Sequence, residues 1–313
     1  MDSFEKATTV KPLNSHSYGA DFPDAWCIGS VPHGGFITAV FLRVARTHFE
    51  TTLRRQNQPN TLTLHLEFLR RTQTGPATFF VSDIKLGRQA SVIHVTLTQG
   101  GREEVVGYIS NSDLAAEKGL SFTTDWTLNP KPLPVEIPKL KNGTDSHWAE
   151  IDRMPFWEFR KASNRVRFFF PRQGQLGRGI VDEWMCLRSG ERFTQDSIGF
   201  VTDMWPQILE TYSDKGDPYD VNKETRTTPT TGTMWYPTLL LNLDVKKVLP
   251  PEGVEFLFQR VQAKRIQNGR FDLESVLMDE HGDVVALSHH VVLAVSAGRN
   301  LAQRSNEARG NKL

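Results

Sequence analysis

Three histidines near the carboxyl end of the chain are candidates for acid–base chemistry or metal binding. His281, His289 and His290 lie close together in sequence, but their spacing does not match a zinc-binding motif and no metal site is expected from it. His289 and His290 are consecutive in a β-rich run, so strand alternation points one inward and the other outward. The inward imidazole could be a hydrogen-bonded core residue or, because it can donate, accept and ionise, an acid–base group.

A second candidate lies at the start of the first long helix. The segment Pro32-His33-Gly34-Gly35 breaks the chain, and the ten residues after it are almost entirely apolar. A helix that is apolar on nearly every face is buried, here inside a sheet. Glycines at its start let a ligand approach the backbone closely, and the unpaired N–H groups there favour negative charge. His33 could contact the same ligand, or it could be an ordinary loop residue without a functional role.

The elements around these candidates occur twice. In each copy Gly-Arg leads into a β-rich run, a polar turn with glycine and a short strand with a Val-Val pair. In the first copy a helix candidate at 34–49 is followed by a strand at 61–69 and then by the run at 87–108. In the second copy the helix candidate is at 202–211, the strand at 237–245 and the run at 269–287. A helix followed by an antiparallel meander, repeated once, predicts a duplicated structural unit.

Composition sets the boundaries of the two units. We predict a first repeat over residues 1–111 and a second over 161–298. Four prolines between 130 and 138 exclude regular structure over much of 112–160, which is predicted to be a linker. Residues 213–232 are polar and rich in Thr, Asp and Pro, which predicts a loop, and 299–313 are predicted to be a disordered tail.

The overall composition excludes several classes of partner. Of 313 residues 38% are apolar and the net charge is +1, which argues against a nucleic-acid partner. No stretch approaches 18 consecutive apolar residues, and the polar N-terminus does not read as a signal peptide, so no membrane partner is expected. Two distant cysteines make a disulfide framework improbable. We therefore expect a cytoplasmic or organelle-matrix protein; the final Asn311-Lys312-Leu313 resembles a peroxisomal Ser-Lys-Leu address, although an ordinary frayed terminus is the simpler interpretation.

The order of these motifs resembles the type II, double-hotdog acyl-CoA thioesterases, in particular the thioesterase-like proteins common in fungi. Gly34-Gly35 is similar to the family's Gly-Gly motif. Residues 68–71, Phe-Leu-Arg-Arg, resemble its Phe-Leu-Arg-Pro strand end, and residues 182–188 are similar to its Trp-Ile-Arg strand. The resemblance implies an α+β fold, a tandem double hotdog in which two long helices are each wrapped by a curved antiparallel sheet. It also implies a homo-oligomer.

The resemblance further implies hydrolytic residues in the second repeat: an Asp at the head of the second helix, a Ser or Thr in the next strand and a Gln in the last strand. Asp203 matches the first position and Thr238 the second. The third falls on His290, so the chain departs from the family there. Asp203 could also merely cap its helix, and Thr238 could be an ordinary β-branched strand residue.

The implied reaction is hydrolysis of an acyl thioester, in which Asp203 and Thr238 orient a water and a helix N-terminus holds the oxyanion. Asp203 and His290 would equally suit proton transfer in a non-hydrolytic enzyme of secondary metabolism, such as a dehydratase, isomerase or cyclase. A ligand-binding pseudo-thioesterase is a third alternative.

The expected ligand is an acyl-CoA, a carrier-bound thioester or a small molecule derived from one. No cofactor is implied beyond the CoA or carrier itself. Together with His33, Gly34 and Gly35, Trp205 on the second helix candidate and Trp235 near Thr238 are predicted to bind this substrate, and the indoles would suit a bulky or aromatic acyl group. Arginines at strand ends, Arg70 and Arg71 among them, could meet a CoA phosphate.

Overall fold

The computed structural model describes residues 3–212, 217–222 and 234–302. Its α-helices are α1 (Phe4–Ala7), α2 (Gly34–Glu50), α3 (Ile137–Lys141), α4 (Ile198–Thr202) and α5 (Gly298–Leu301). Its strands are β1 (Lys11–Asn14), β2 (Ser17–Phe22), β3 (Cys27–Ile28), β4 (Val31–Pro32), β5 (Asn60–Phe68), β6 (Gly75–Lys85), β7 (Ala90–Gln99), β8 (Arg102–Ser112), β9 (Trp148–Glu150), β10 (Val166–Pro171), β11 (Ile180–Leu187), β12 (Met234–Trp235), β13 (Thr238–Val245), β14 (Leu257–Gln262), β15 (Ile266–Gln267), β16 (Arg270–Met278), β17 (Val284–Leu293) and β18 (Val295–Ser296).

One antiparallel sheet runs through both repeats. Its strand order is β1-β2-β6-β7-β8-β5-β13-β17-β16-β14-β11-β10-β9, with β15 added beside β16. The repeats join where β5 pairs with β13, at Leu66 opposite Leu241 and Leu64 opposite Leu243. All four leucines are buried, so the junction is part of the core. The predicted meanders are thus confirmed as β7–β8 and β16–β17. Their second strands, β8 and β17, pair with β5 and β13, the upstream strands predicted at 61–69 and 237–245.

The helix of the first repeat has the predicted form. α2 is 17 residues long, and twelve of them are buried, including Phe36, Ile37 and Phe41. Apolar side chains on nearly every face need packing partners all round, and α4 and β5 provide them together with Phe22 of β2 and Phe79 of β6.

The helix of the second repeat differs from the prediction over 202–211. α4 is only five residues long and ends at Thr202, with Asp203 as its C-cap. Pro206 explains the difference, because proline cannot donate an N–H and disfavours helical geometry in the residue before it. The chain resumes as a 3₁₀ turn over Ile208–Tyr212.

Two predicted irregular segments contain ordered elements. In the predicted linker 112–160, residues 113–136 are without helix or strand, but α3 and β9 follow, and β9 pairs with β10 of the main sheet. The start of the predicted tail is ordered, which corrects that prediction. α5 covers its first three residues, and buried Asn300 accepts from the Ser30 N–H at 2.9 Å and donates to the Ile28 carbonyl at 2.8 Å.

Other predictions fall partly or wholly outside the described ranges. Of the predicted loop at 213–232, the described residues 217–222 form turns. The Asn-Lys-Leu terminus, 311–313, lies outside them altogether. Among the described residues, no helix has the length and apolar character needed to cross a bilayer.

Candidate functional site

A cavity of about 370 Å³ opens between the two repeats. Its wall combines the start of α2 from the first repeat with the segments around α4 and β13 from the second. Six of the eight residues predicted for the site line it: His33, Gly34, Asp203, Trp205, Trp235 and Thr238. Gly35 and His290 are instead packed directly behind this wall, against Asp203. The fold therefore brings all eight predicted residues to one place, although the sequence distributes them over more than 250 positions.

Asp203 lies at the centre of the site, where α4 ends and α2 begins. A Cβ added to Gly34 would be 2.8 Å from Asp203 Oδ2, and one added to Gly35 would be 2.7 Å from Asp203 Cβ. The glycines therefore let the carboxylate reach the amino end of α2, whose dipole favours a negative charge. Asp203 was expected at the head of the second helix; it caps the end of that helix and faces the head of the first.

The charge of Asp203 is stabilised by its neighbours. Burial alone would raise the pKa of this carboxyl, since only 6% of the residue is exposed. His33, His290 and the Gly35 N–H outweigh burial and hold the pKa below its usual value. Asp203 is therefore a carboxylate, available to accept a hydrogen bond or a proton from a group in the cavity.

His33 is the N-cap of α2 and faces Asp203 from the other repeat. Its Nδ1 accepts from the Gly35 N–H at 3.2 Å, so the ring is neutral with its proton on Nε2. Burial likewise lowers the pKa of His33 below its ordinary value. Nε2 lies 3.7 Å from Asp203 Oδ2, slightly too far for a hydrogen bond.

His290 contacts Asp203 from behind. It is fully buried, and its Nδ1 lies 3.2 Å from Asp203 Oδ1. Its Nε2 lies 2.8 Å from Ser288 Oγ, which donates its single proton to the Asn242 carbonyl at 2.7 Å. Ser288 must then accept from His290 Nε2–H, which fixes the orientation of the ring. His290 thus packs against Asp203 from the side away from the cavity and helps to hold its carboxylate in place.

Alternation in β17 separates the two adjacent histidines as expected. His290 faces the interior, whereas His289 is half-buried on the outer face of the sheet, in a second concavity beside His65 and Asn242. Ser288 was not among the predicted site residues. The available signal was its spacing, because residues two apart in a strand share a face.

Thr238 and the two tryptophans complete the cavity wall. Thr238 begins β13, and its Oγ1 lies 3.5 Å from Asp203 Oδ1, at the limit of a hydrogen bond. Trp205 is buried edge-on against Phe271, with ring centroids 6.2 Å apart. Trp235 is half-buried in β12. Their indoles give the cavity an apolar surface next to the polar cluster.

The arginines at the end of β5 are already engaged with protein groups. Arg71 donates to the carbonyl oxygens of Arg299, Asn300 and Ala302, and so attaches α5 to the first repeat. Arg70 donates to the Glu103 carbonyl at 2.7 Å. Both line the cavity, but their hydrogen bonds within the protein account for their position without a phosphate ligand.

Two family models match the chain in succession. The acyl-CoA thioesterase N-terminal domain matches residues 22–112, and the acyl-CoA thioesterase C-terminal domain matches residues 134–294. The chain belongs to the acyl-CoA thioesterase family. Its similarity to the thioesterase-like protein TwmA of Talaromyces wortmannii agrees with this, at 35% identity over 98% of the chain and 96% of the relative.

Solved structures share the fold at low identity. A candidate thioesterase II from Thermobifida fusca superposes with a TM-score of 0.71 at 18% identity, covering 94% of this chain and 98% of the other. The dehydratase domain from the CurJ module of the curacin polyketide synthase superposes with a TM-score of 0.53 at 12% identity, covering 93% of this chain and 96% of the other. These matches confirm the predicted α+β double hotdog and show that the fold houses more than one chemistry.

Proposed function

We propose that this protein hydrolyses an acyl thioester, carried by CoA or by a carrier protein, in the cavity between its repeats. One observation carries the proposal: a buried, charged Asp203 meets Thr238 at 3.5 Å in the wall of a cavity of about 370 Å³. A carboxylate and a hydroxyl in that relation can hold one water molecule and orient its lone pair toward a bound carbonyl carbon.

The proposed reaction uses both ends of this cluster. Asp203 accepts a proton from water as the water oxygen attacks the carbonyl carbon. The negative charge that develops on the carbonyl oxygen lies near Gly34, at the amino end of α2, where the helix dipole stabilises it. The carbon–sulfur bond then breaks, and the thiolate leaves with the proton that Asp203 took from the water, which restores the Asp203 carboxylate. His290 would act through Asp203, by holding its carboxylate in position from behind, since His290 itself does not line the cavity.

A specific contact favours a second candidate, non-hydrolytic proton transfer such as dehydration or isomerisation. His33 Nε2 and Asp203 Oδ2 are 3.7 Å apart, come from opposite repeats and both line the cavity. Such a pair could remove a proton next to a thioester carbonyl and return it elsewhere on the substrate. The sequence suggested His290 as the partner of Asp203 in such chemistry, but the cavity presents His33.

Release of free thiol from a panel of acyl-CoAs tests hydrolysis. Asp203→Asn keeps the size of the side chain and removes the base, so kcat/KM should fall by roughly 10²–10⁴-fold. Thr238→Val should lower kcat/KM by roughly 10–100-fold, the effect of losing a hydrogen bond to a charged group. Asp244→Asn, on the same strand but exposed at 45%, is the matched control and should leave the rate unchanged.

The same variants distinguish the alternatives. If folded wild type releases no thiol but interconverts hydroxyacyl and enoyl thioesters in a reaction lost in His33→Gln, proton transfer replaces hydrolysis. If neither reaction occurs and a thioester still binds in the cavity, the protein is a ligand-binding relative of the enzymes. Thiol release that is as fast in Asp203→Asn as in wild type would contradict the proposed site.

A further inference from the structure

We propose that His16, His48 and Asp83 form a binding site for a divalent transition metal of the zinc class. The three residues come from separate elements of the first repeat. His16 lies in the turn between β1 and β2, His48 in the last turn of α2, and Asp83 in β6. Because they are 32 and 35 positions apart, no short sequence motif marks them.

The potential ligand atoms converge. His48 Nε2 lies 2.9 Å from Asp83 Oδ1, and His16 Nε2 lies 3.3 Å from Asp83 Oδ2. One atom from each residue falls within 4.8 Å of the other two. Ligands about 2.0–2.2 Å from a shared zinc ion are separated by roughly 3.2–3.6 Å in a tetrahedral site. Small side-chain movements would therefore bring all three onto one ion.

The far side of each imidazole is bound to oxygen. His48 Nδ1 lies 2.8 Å from the Tyr18 hydroxyl, beside the Ser15 carbonyl oxygen, and His16 Nδ1 lies 2.9 Å from Ser15 Oγ. The Tyr18 hydroxyl donates its proton to the Ser15 carbonyl oxygen at 3.3 Å, so it can accept one from His48 Nδ1–H and leave the Nε2 lone pair for a metal ion. Zinc-binding histidines typically donate their outer N–H to oxygen in this way.

The cluster is buried on one side and open to solvent on the other. His48 is completely buried, while 44% of the His16 side chain and 23% of the Asp83 side chain are exposed. Without an ion, the Nε2 atoms of His48 and His16 lie at hydrogen-bond distance from Asp83, 2.9 and 3.3 Å. A divalent ion would replace the protons in those contacts, and the exposed side of the cluster gives it a route in and a coordination position for water. Two imidazoles and a carboxylate suit zinc and its neighbours better than magnesium or calcium.

The site lies far from the candidate active site. His33 and His48 are fifteen residues apart on one helix, which places them roughly 22 Å apart along its axis. A metal there would take no part in thioester chemistry. It would attach the β1–β2 turn to the end of α2 and to β6, so metal binding and substrate turnover can be tested independently.

Zinc titration of metal-stripped protein tests the proposal, with a chromophoric chelator as competitor. Wild type should bind one Zn²⁺ per chain. His16→Ala and Asp83→Asn alter exposed or half-exposed side chains and should each weaken binding at least about tenfold, the loss that even outer partners of metal ligands typically cause. His281→Ala, which removes a histidine that is 73% exposed and outside the cluster, should bind like wild type.

Two further readouts make the result decisive. Co²⁺ in place of Zn²⁺ should give a visible absorption band that disappears in Asp83→Asn, and Zn²⁺ should raise the melting temperature of wild type but not of His16→Ala. Absence of Zn²⁺ binding by folded wild type would overturn the proposal and leave a hydrogen-bonded Tyr18–His48–Asp83 chain. Binding that both cluster variants retain in full would also overturn it.

Discussion

Substitution of Gly35 by alanine should destabilise the protein by blocking the approach of its two hotdog helices. An added Cβ would lie 2.7 Å from Asp203 Cβ, 2.8 Å from the Phe200 carbonyl oxygen and 2.9 Å from the Gly199 carbonyl oxygen. Ordinary contacts of this kind are 3.4–4 Å long, so α4 must move by more than half an ångström. Two of the three atoms are backbone oxygens that cannot rotate away.

The size of the effect follows from two opposing terms. Overpacking of this kind costs about 1–3 kcal/mol, and rigid backbone neighbours place Gly35→Ala near the upper end. Alanine favours a helix over glycine by up to about 1 kcal/mol, which offsets part of the cost. We therefore expect the free energy of unfolding to fall by about 2 kcal/mol.

Urea unfolding measures this change directly, as a lower midpoint at an unchanged slope. Gly177→Ala is the matched control, because an added Cβ there meets nothing within 4 Å and its stability should stay within about 0.5 kcal/mol of wild type. If Gly35→Ala is as stable as wild type, or if the control loses as much, the argument that a close helix approach requires glycine here is refuted.

Three further outcomes are expected. The pKa of His33 is lowered in the folded state, so the contribution of this residue to stability is lost as pH falls below about 6.5. The urea midpoint of wild type should therefore drop more between pH 7 and pH 5 than the midpoint of His33→Gln. Parallel pH profiles of the two proteins would contradict this. Burial raises the pKa of Cys27 to about 12 and of Cys186 to about 11, so both thiols should react with Ellman's reagent slowly in native protein and rapidly in urea; rapid native reaction would show them accessible. Asp182→Asn should lower the free energy of unfolding by about 3–5 kcal/mol in urea titrations, because it leaves buried Arg260 without its counter-charge, and a loss below 1 kcal/mol would refute that pairing.

The sequence was most informative where local pattern and tertiary structure agree. The repeated pattern predicted β5 and β13 as strands at 61–69 and 237–245, and an apolar run after Gly34-Gly35 predicted α2, because burial constrains the residues of these elements. The second helix did not follow this rule. Asp203 looked like a helix start, yet Pro206 stops the helix and Asp203 ends α4.

The site was predictable in composition but not in geometry. The family resemblance singled out Asp203, Thr238 and His290, but only the register that sets Leu241 opposite His290 and the meeting of the two repeats bring them together. The approach of His33 to Asp203 depends on how α2 packs against α4. The contact of Ser288 with His290 depends on which side of β17 faces inward. Those relations are long-range, so local spacing does not encode them.

The two repeats are joined by the pairing of β5 with β13. Hydrogen bonds and buried leucines on these two strands join the repeats, whereas residues 113–136 connect them covalently without adding a helix or strand. Only the later part of this connection packs onto the second repeat, through buried Leu128 and the hydrogen bond from Arg260 to the Pro130 carbonyl. A chain cut before Leu128 should therefore behave as a split protein, whose halves rebuild one cavity on association because each brings a wall that the other lacks.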